Sequence, residues 1–209
     1  EKFGLPLVSV HLQPAVLWSK FASPTLPGVF GPSWLKQFQY RLGERLVIDR
    51  TVCPDLNRFR EELGLPPLPR VTRWWHARQG VLCRCPPWYA SPQPDWPQNL
   101  LQADFPRWDV EDDAELPPEV QRFLAAGSPP LAFTPGSANK FGAGFFRAAV
   151  EACGRLGRRG VLLTRFCEQI PHPLPEGVEH FAYVPFRRLL PKAAALVHHG
   201  GIGTTAQAL

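Results

Sequence analysis

The residues best suited to chemistry lie at the end of the chain, in His198-His199-Gly200-Gly201-Ile202-Gly203-Thr204-Thr205. Glycines here let the backbone turn sharply and let a ligand reach main-chain N–H groups. An apolar run precedes the string, and an apolar pattern that can open a helix follows it. That order predicts strand, tight loop, helix N-terminus. The first turn of a helix carries unpaired N–H groups and the positive end of the helix dipole. Such a loop suits an anion, above all a phosphate. The ring N–H of His199 and the hydroxyls of Thr204 and Thr205 add donors, and one threonine can cap the helix. A glycine-rich turn alone is as often a packing turn. Histidine, glycines and hydroxyls together are the specific part.

The elements that must position this loop are clearest from residue 130 onward. Strands are predicted at 131–134, 160–164, 178–184 and 193–197. A helix is predicted at 143–156, with Phe146, Ala149, Val150 and Cys153 on one side, and a short helical turn at 186–192. Alternating strands and helices predict an α/β sheet of the doubly wound type. Ligands of such sheets sit at the carboxyl ends of the strands. Gly136-Ser137, Thr164 to Phe166, Tyr183 to Phe186 and His198 to Thr205 all fall at such ends.

The first half is less regular. Residues 5–12 read as a buried strand of a parallel sheet. A loop at 13–33 offers Trp18, Phe21 and Phe30 as apolar walls or as core. Residues 34–63 read as helical, with Pro54 separating two helices and Asp55 capping the second. Glu61 and Glu62 read as a solvated face. Gly64 and the prolines after it stop the helix. Short strands are predicted at 80–85 and 100–105, around a proline-stiffened loop holding Trp88, Tyr89 and Trp96. Acidic residues from Asp109 to Glu119 read as a linker ending in a short helix. The division expected is therefore 1–108, a linker at 109–129, and 130–209.

Composition narrows the classes. The chain has 209 residues, 44% hydrophobic and 20% charged, which is globular and not disordered. Its net charge of +5 is spread out, so nucleic acid is not expected as a partner. A polyanionic small ligand or an anionic membrane surface suits it. No apolar run is long enough for a transmembrane helix. The five cysteines fit no zinc spacing. Cys83 and Cys85 would share a strand face and read as buried and reduced, as in a cytoplasmic setting. The chain contains no methionine and stops inside the helix of the glycine loop, so it is read as an internal piece of a longer protein.

The string from His198 to Thr205 resembles the GT-B-fold glycosyltransferases that use nucleotide-sugar donors. Its nearest branch looks like the bacterial relatives of the UDP-glucuronosyl-, flavonoid- and sterol-glucosyltransferases. The resemblance implies two Rossmann-like doubly wound domains, both incomplete here. Residues 1–108 would be the C-terminal part of the acceptor domain and 130–209 the first part of the donor domain. It implies that His199, Thr204 and Thr205 hold the donor diphosphate, helped by the backbone of Gly201, Ile202 and Gly203. Ser137 matches a Gly-Ser whose serine lies near the same phosphates; a turn serine bonding its own backbone is the alternative. Tyr183-Val-Pro-Phe186 resembles a motif whose first ring, often tryptophan, stacks on the base. Tyr183 and the backbone of Val184 are thus the base-binding candidates, and Arg165 either reaches a phosphate or faces solvent.

The implied activity is inverting, metal-independent transfer of a hexose or deoxyhexose from a UDP- or TDP-linked sugar. The acceptor would be a hydroxyl of a lipophilic molecule such as a lipid, sterol or polyphenol. No cofactor is implied. The setting would be cytoplasmic, with peripheral contact at the inner membrane face as an option. The catalytic histidine is expected upstream of Glu1 and the sugar-binding acidic–glutamine pair after Leu209. His11 reads as structural, and the chain alone is expected to be inactive. The alternatives are a nucleotide-sugar epimerase on the same fold and a non-catalytic nucleotide-sugar-binding protein.

Overall fold

A computed structural model describes residues 3–22, 26–106 and 115–209. It divides the chain into two compact units, Glu1–Phe105 and Pro106–Leu209. The acidic stretch 107–114 of the expected linker lies outside the described residues.

The first unit is built on β1 (Ser9–His11), α1 (Ser33–Gly43), α2 (Asp49–Glu62), α3 (Val71–Trp74), β2 (Val81–Cys83) and β3 (Leu100–Gln102). The strands form a parallel sheet in the order β1-β2-β3, with Ser9 opposite Val81 and Val81 opposite Leu100. All three are shorter than their apolar runs suggest. Residues 5–12 contribute only Ser9–His11 to the ladder, because Pro6 has no N–H to give and β2 offers only three residues to pair with.

Pro54 does not break the helical region. It sits inside α2, while a π-helical turn, Glu44–Ile48, joins α1 to α2. Proline removes one donor, but the surrounding turns continue. Asp55 is accordingly interior, pairing with Arg58 at 3.4 Å. The π turn places Glu44 inward, 7% exposed. There it accepts from Arg70 Nη1 at 3.2 Å and from the Thr72 hydroxyl.

His11 meets His76 edge-on, Nε2 to Nδ1 at 3.2 Å. Burial holds both imidazoles below the usual histidine value. Trp18 packs internally, its ring 5.3 Å from Tyr40 and 6.4 Å from Trp75. Phe21 and Phe30 are exposed.

The second unit contains α4 (Pro118–Ala125), β4 (Leu131–Thr134), α5 (Ala143–Leu156), β5 (Gly160–Leu163), β6 (Val178–Phe181), α6 (Phe186–Leu189), β7 (Ala195–His198) and α7 (Ile202–Ala208). Its four strands are parallel in the order β6-β5-β4-β7. The chain starts near the middle, steps twice to one side, then crosses to the other. Adjacent strands β4 and β7 therefore flank a switch point, where doubly wound sheets bind ligands. One core lies between α5 and the sheet, with Phe146, Ala149 and Cys153 against Phe133, Leu162 and Val178. The other gathers Val120 and Phe123 of α4 with Ala132, Val161 and Leu189. The Arg159 guanidinium lies 4.1 Å from the Phe123 ring centre and donates to the Phe123 and Ser128 carbonyls, tying α4 to the start of β5.

The N-terminus of α5 is held by Gln169, which is 5% exposed. Its Oε1 accepts the Gly142 N–H at 2.8 Å and its Nε2 donates to the Asn139 carbonyl at 2.9 Å. Gln169→Leu keeps the bulk and deletes both bonds, orphaning a buried N–H. The expected cost is about 1–3 kcal/mol of stability, read as a lower urea midpoint. An unchanged midpoint would mean this contact does not organise the loop.

Candidate functional site

At the carboxyl ends of β4 and β5 the same local device turns the chain. Thr134 Oγ1 accepts the Gly136 N–H at 3.2 Å, and Thr164 Oγ1 accepts the Phe166 N–H at 3.1 Å. Threonine hydroxyls mimic a backbone turn in this way. The His180 ring is 2.7 Å from the Thr164 carbonyl, bracing the second turn. The first is closed by the Asn139 N–H on the Gly136 carbonyl at 3.2 Å. Ser137 takes no part in closing its own turn, and its hydroxyl makes no hydrogen bond among the described residues.

β7 runs into Gly200, whose φ of +81° turns the backbone, and its N–H donates to His198 Nδ1 at 3.2 Å. His198 is thus engaged locally and His199 is left exposed. The His199 ring fits beside two glycines from different loops. A Cβ on Gly136 would stand 2.7 Å from its Cε1, and one on Gly201 would run into its Nε2. Gly136 also has a φ of +98°, a conformation natural only to glycine. This slot brings His199 to the β4 turn that carries Ser137.

α7 begins at Gly201, and its first main-chain bond is Thr205 N–H to the Gly201 carbonyl at 2.9 Å. The N–H groups of Ile202, Gly203 and Thr204 precede that bond and have no intrahelical acceptor. The Thr205 hydroxyl donates back to the Gly201 carbonyl at 3.0 Å, so its proton is used within the helix. The Thr204 hydroxyl makes no hydrogen bond among the described residues.

A cleft of ≈ 500 Å³ opens along this edge, within the ~300–1,000 Å³ typical of small-molecule sites. Thr134 and Ser137 line it from β4, Thr164 and Arg165 from β5, Tyr183 and Val184 from β6, and Gly203, Thr204 and Gln207 from α7. Of the residues singled out from sequence, it brings together Ser137, Tyr183, Val184, Gly203 and Thr204. His199 borders the Gly136 turn, while Gly201, Ile202 and Thr205 form the loop behind. Val184 borders the cleft, but the residue as a whole is 2% exposed and belongs to the core. Tyr183 is 49% exposed. Arg165 supplies the only charge in the lining.

Thr164 was expected at this edge from the sequence, whereas Thr134 and Gln207 were missed. Thr134 had a signal, a threonine closing an apolar strand. Gln207 lies one helical turn beyond Thr204, on the same face. Among the described residues no three His, Cys, Asp or Glu side chains gather to hold a metal ion.

Geometrically, the edge presents a flat ring at β6, a cation at β5, a hydroxyl at β4 and an N–H cluster at α7. An elongated anion with an aromatic head fits that order. No protein-family model matches the chain. Similar sequences do. The chain is 31% identical to the glycosyltransferase GtfC of Amycolatopsis orientalis, over 98% of this chain and 49% of that protein. It is 33% identical to the vancomycin aglycone glucosyltransferase of the same organism, over 72% of this chain and 36% of that one. Among solved structures, the glycosyltransferase VinC in complex with dTDP superposes with a TM-score of 0.54 at 23% identity, covering 99% of this chain and 46% of VinC. The chain spans about half the length of these proteins.

Proposed function

Because the chain belongs with the GT-B-fold glycosyltransferases over the half of their length that it spans, we propose that the full-length protein is a nucleotide-sugar-dependent glycosyltransferase. It moves a hexose or deoxyhexose from a UDP- or TDP-linked donor to a hydroxyl of a lipophilic acceptor, with inversion and without a metal. Residues 130–209 hold the donor, and residues 1–108 belong to the acceptor side.

One observation carries this reading: among the described residues the Ser137 hydroxyl, the His199 ring and the Thr204 hydroxyl make no hydrogen bond, and they stand on the two loops that flank the switch point. In a folded protein, polar groups gathered at one edge and left unbonded are ready for a ligand. As the glycosidic bond breaks, the sugar gains oxocarbenium character and the diphosphate gains negative charge. Fixed donors aimed at that charge lower the barrier. His199, Ser137, Thr204 and the N–H groups of Ile202 and Gly203 serve in that role. Thr205 acts indirectly, fixing the Gly201 carbonyl at the head of α7. Tyr183 takes the base on its ring and Val184 meets it through the backbone.

The acceptor class is argued from a relative and from exposed apolar rings. One relative acts on the vancomycin aglycone, which favours a secondary-metabolite scaffold. Exposed Phe21 and Phe30 provide apolar contact for such a molecule. A lipid acceptor would bring the protein to a membrane surface, which its net charge of +5 suits.

Calorimetry of the full-length protein against UDP and TDP sugars tests the donor assignment. Tyr183→Ala is expected to weaken the preferred nucleotide by ~10-fold, the order of a lost base–aromatic stack. Tyr183→Phe should stay near wild type. Equal affinity in all three proteins would remove Tyr183 from the site, and no binding of either nucleotide would refute the donor reading.

A further inference from the structure

Away from the donor cleft, a second reactive cluster lies in the first unit. Cys83 ends β2 and Cys85 follows two residues later, so both side chains leave the same face. Both are fully buried, and their sulfurs stand 2.7 Å apart. That is closer than unbonded sulfurs rest and longer than the ~2.05 Å of a disulfide. The backbone fixes them there. The Arg84 N–H donates to the His11 carbonyl at 2.7 Å, and the Ala103 N–H to the Cys83 carbonyl at 2.9 Å. The Gln102 amide donates to the carbonyls of Cys85 at 3.2 Å and Ala90 at 2.9 Å. These bonds come from the chain on both sides of β2 and hold the two backbone positions from which the thiols project. The other cysteines differ: Cys53 lies beside Asp49, Cys153 is buried against Gly160, and Cys167 is exposed.

We propose that Cys83 and Cys85 form an oxidisable dithiol, a modification site that takes a hydroperoxide as oxidant and closes to an intrachain disulfide. One thiolate attacks the peroxide O–O bond, giving a sulfenic acid and, after proton transfer, water. The second thiol attacks the sulfenic sulfur; the S–S bond forms, the S–O bond breaks, and a second water leaves. Two electrons pass from the sulfurs to the peroxide. Burial, and then the neighbouring Cys85, push the Cys83 thiol up to about 12, so thiolate is scarce at neutral pH and the first step is slow. The second step joins groups already in place. Ring closure fixes the backbone entering the turn that carries Trp88 and Tyr89 against Phe105.

The test treats the chain with hydrogen peroxide, blocks remaining thiols with iodoacetamide, and digests with trypsin. Cleavage after Arg84 falls between the two cysteines, so peptides 79–84 and 85–107 separate unless a disulfide joins them. The expected product is the joined pair, two hydrogens lighter than the sum, unalkylated and separated by reductant. Its rate of formation should rise ~10-fold from pH 7 to pH 8, as the thiolate fraction does below its pKa. In Cys83→Ser, Cys85 should stop at the sulfenic acid and be trapped by dimedone. Recovery of both peptides alkylated, or carrying separate sulfinic acids, or Cys83 joined to any cysteine but Cys85, would overturn the proposal. Since the main readout uses the unsubstituted chain, it does not depend on a variant folding.

Discussion

His199→Ala in the full-length protein is expected to lower kcat by ~10²-fold, the effect of removing one donor from a developing anion. KM for the donor should move far less. An interaction that strengthens as the leaving group gains charge appears in kcat, whereas one made equally to bound substrate appears in KM. On the proposed reading His199 is placed for the first kind: exposed, edge-on to the His198 ring at 6.4 Å, with no hydrogen bond among the described residues, and lodged beside the turn that presents Ser137. His199→Gln, which restores an N–H, should recover part of the loss. Steady-state kinetics with the preferred sugar nucleotide provide the check. An alanine variant with wild-type kcat would place the leaving diphosphate elsewhere.

The second large effect is expected at Gly136, which touches no substrate in this reading. Gly136→Ala imposes two separate costs. A φ of +98° is foreign to alanine and should destabilise the fold by about 1–3 kcal/mol. The new Cβ would also stand 2.7 Å from His199 Cε1 and push the ring out of its slot, and displacement of a working group by about an ångström costs ~10²-fold in rate. A double-mutant cycle separates the two. In a His199→Ala background, Gly136→Ala should still lower the denaturation midpoint but should barely lower kcat/KM further. Rate losses that multiply in the double variant would show that the glycine acts by another route.

How much was legible in advance differs between the units, for a physical reason. In the second unit α5 was read at 143–156 and is found there, because one apolar stripe and flanking glycines define it. Its inner strands β4 and β5 are buried almost throughout and announce themselves as apolar runs, whereas the outer strands β6 and β7 are partly exposed. The first unit hides its elements. Its strands have three residues each, and Pro54 misleads because nothing local marks the π turn at Glu44. The order of strand, glycine turn and helix around 198–205 was legible from the apolar runs and glycines, and β7, Gly200 and α7 stand there. The slot around His199 was not, since it joins Gly136 and Gly201 across a long stretch of chain and only the sheet order makes them neighbours. The commitment of Thr205 to the Gly201 carbonyl was likewise invisible, because either threonine hydroxyl satisfies the same motif.

The strand order β6-β5-β4-β7 hangs every loop of the cleft from a single sheet. On the proposed donor reading, the residues that would meet the nucleotide all come from one contiguous stretch, 134–207. Such a stretch is a natural cassette. Exchanging it between relatives is expected to carry nucleotide preference with it.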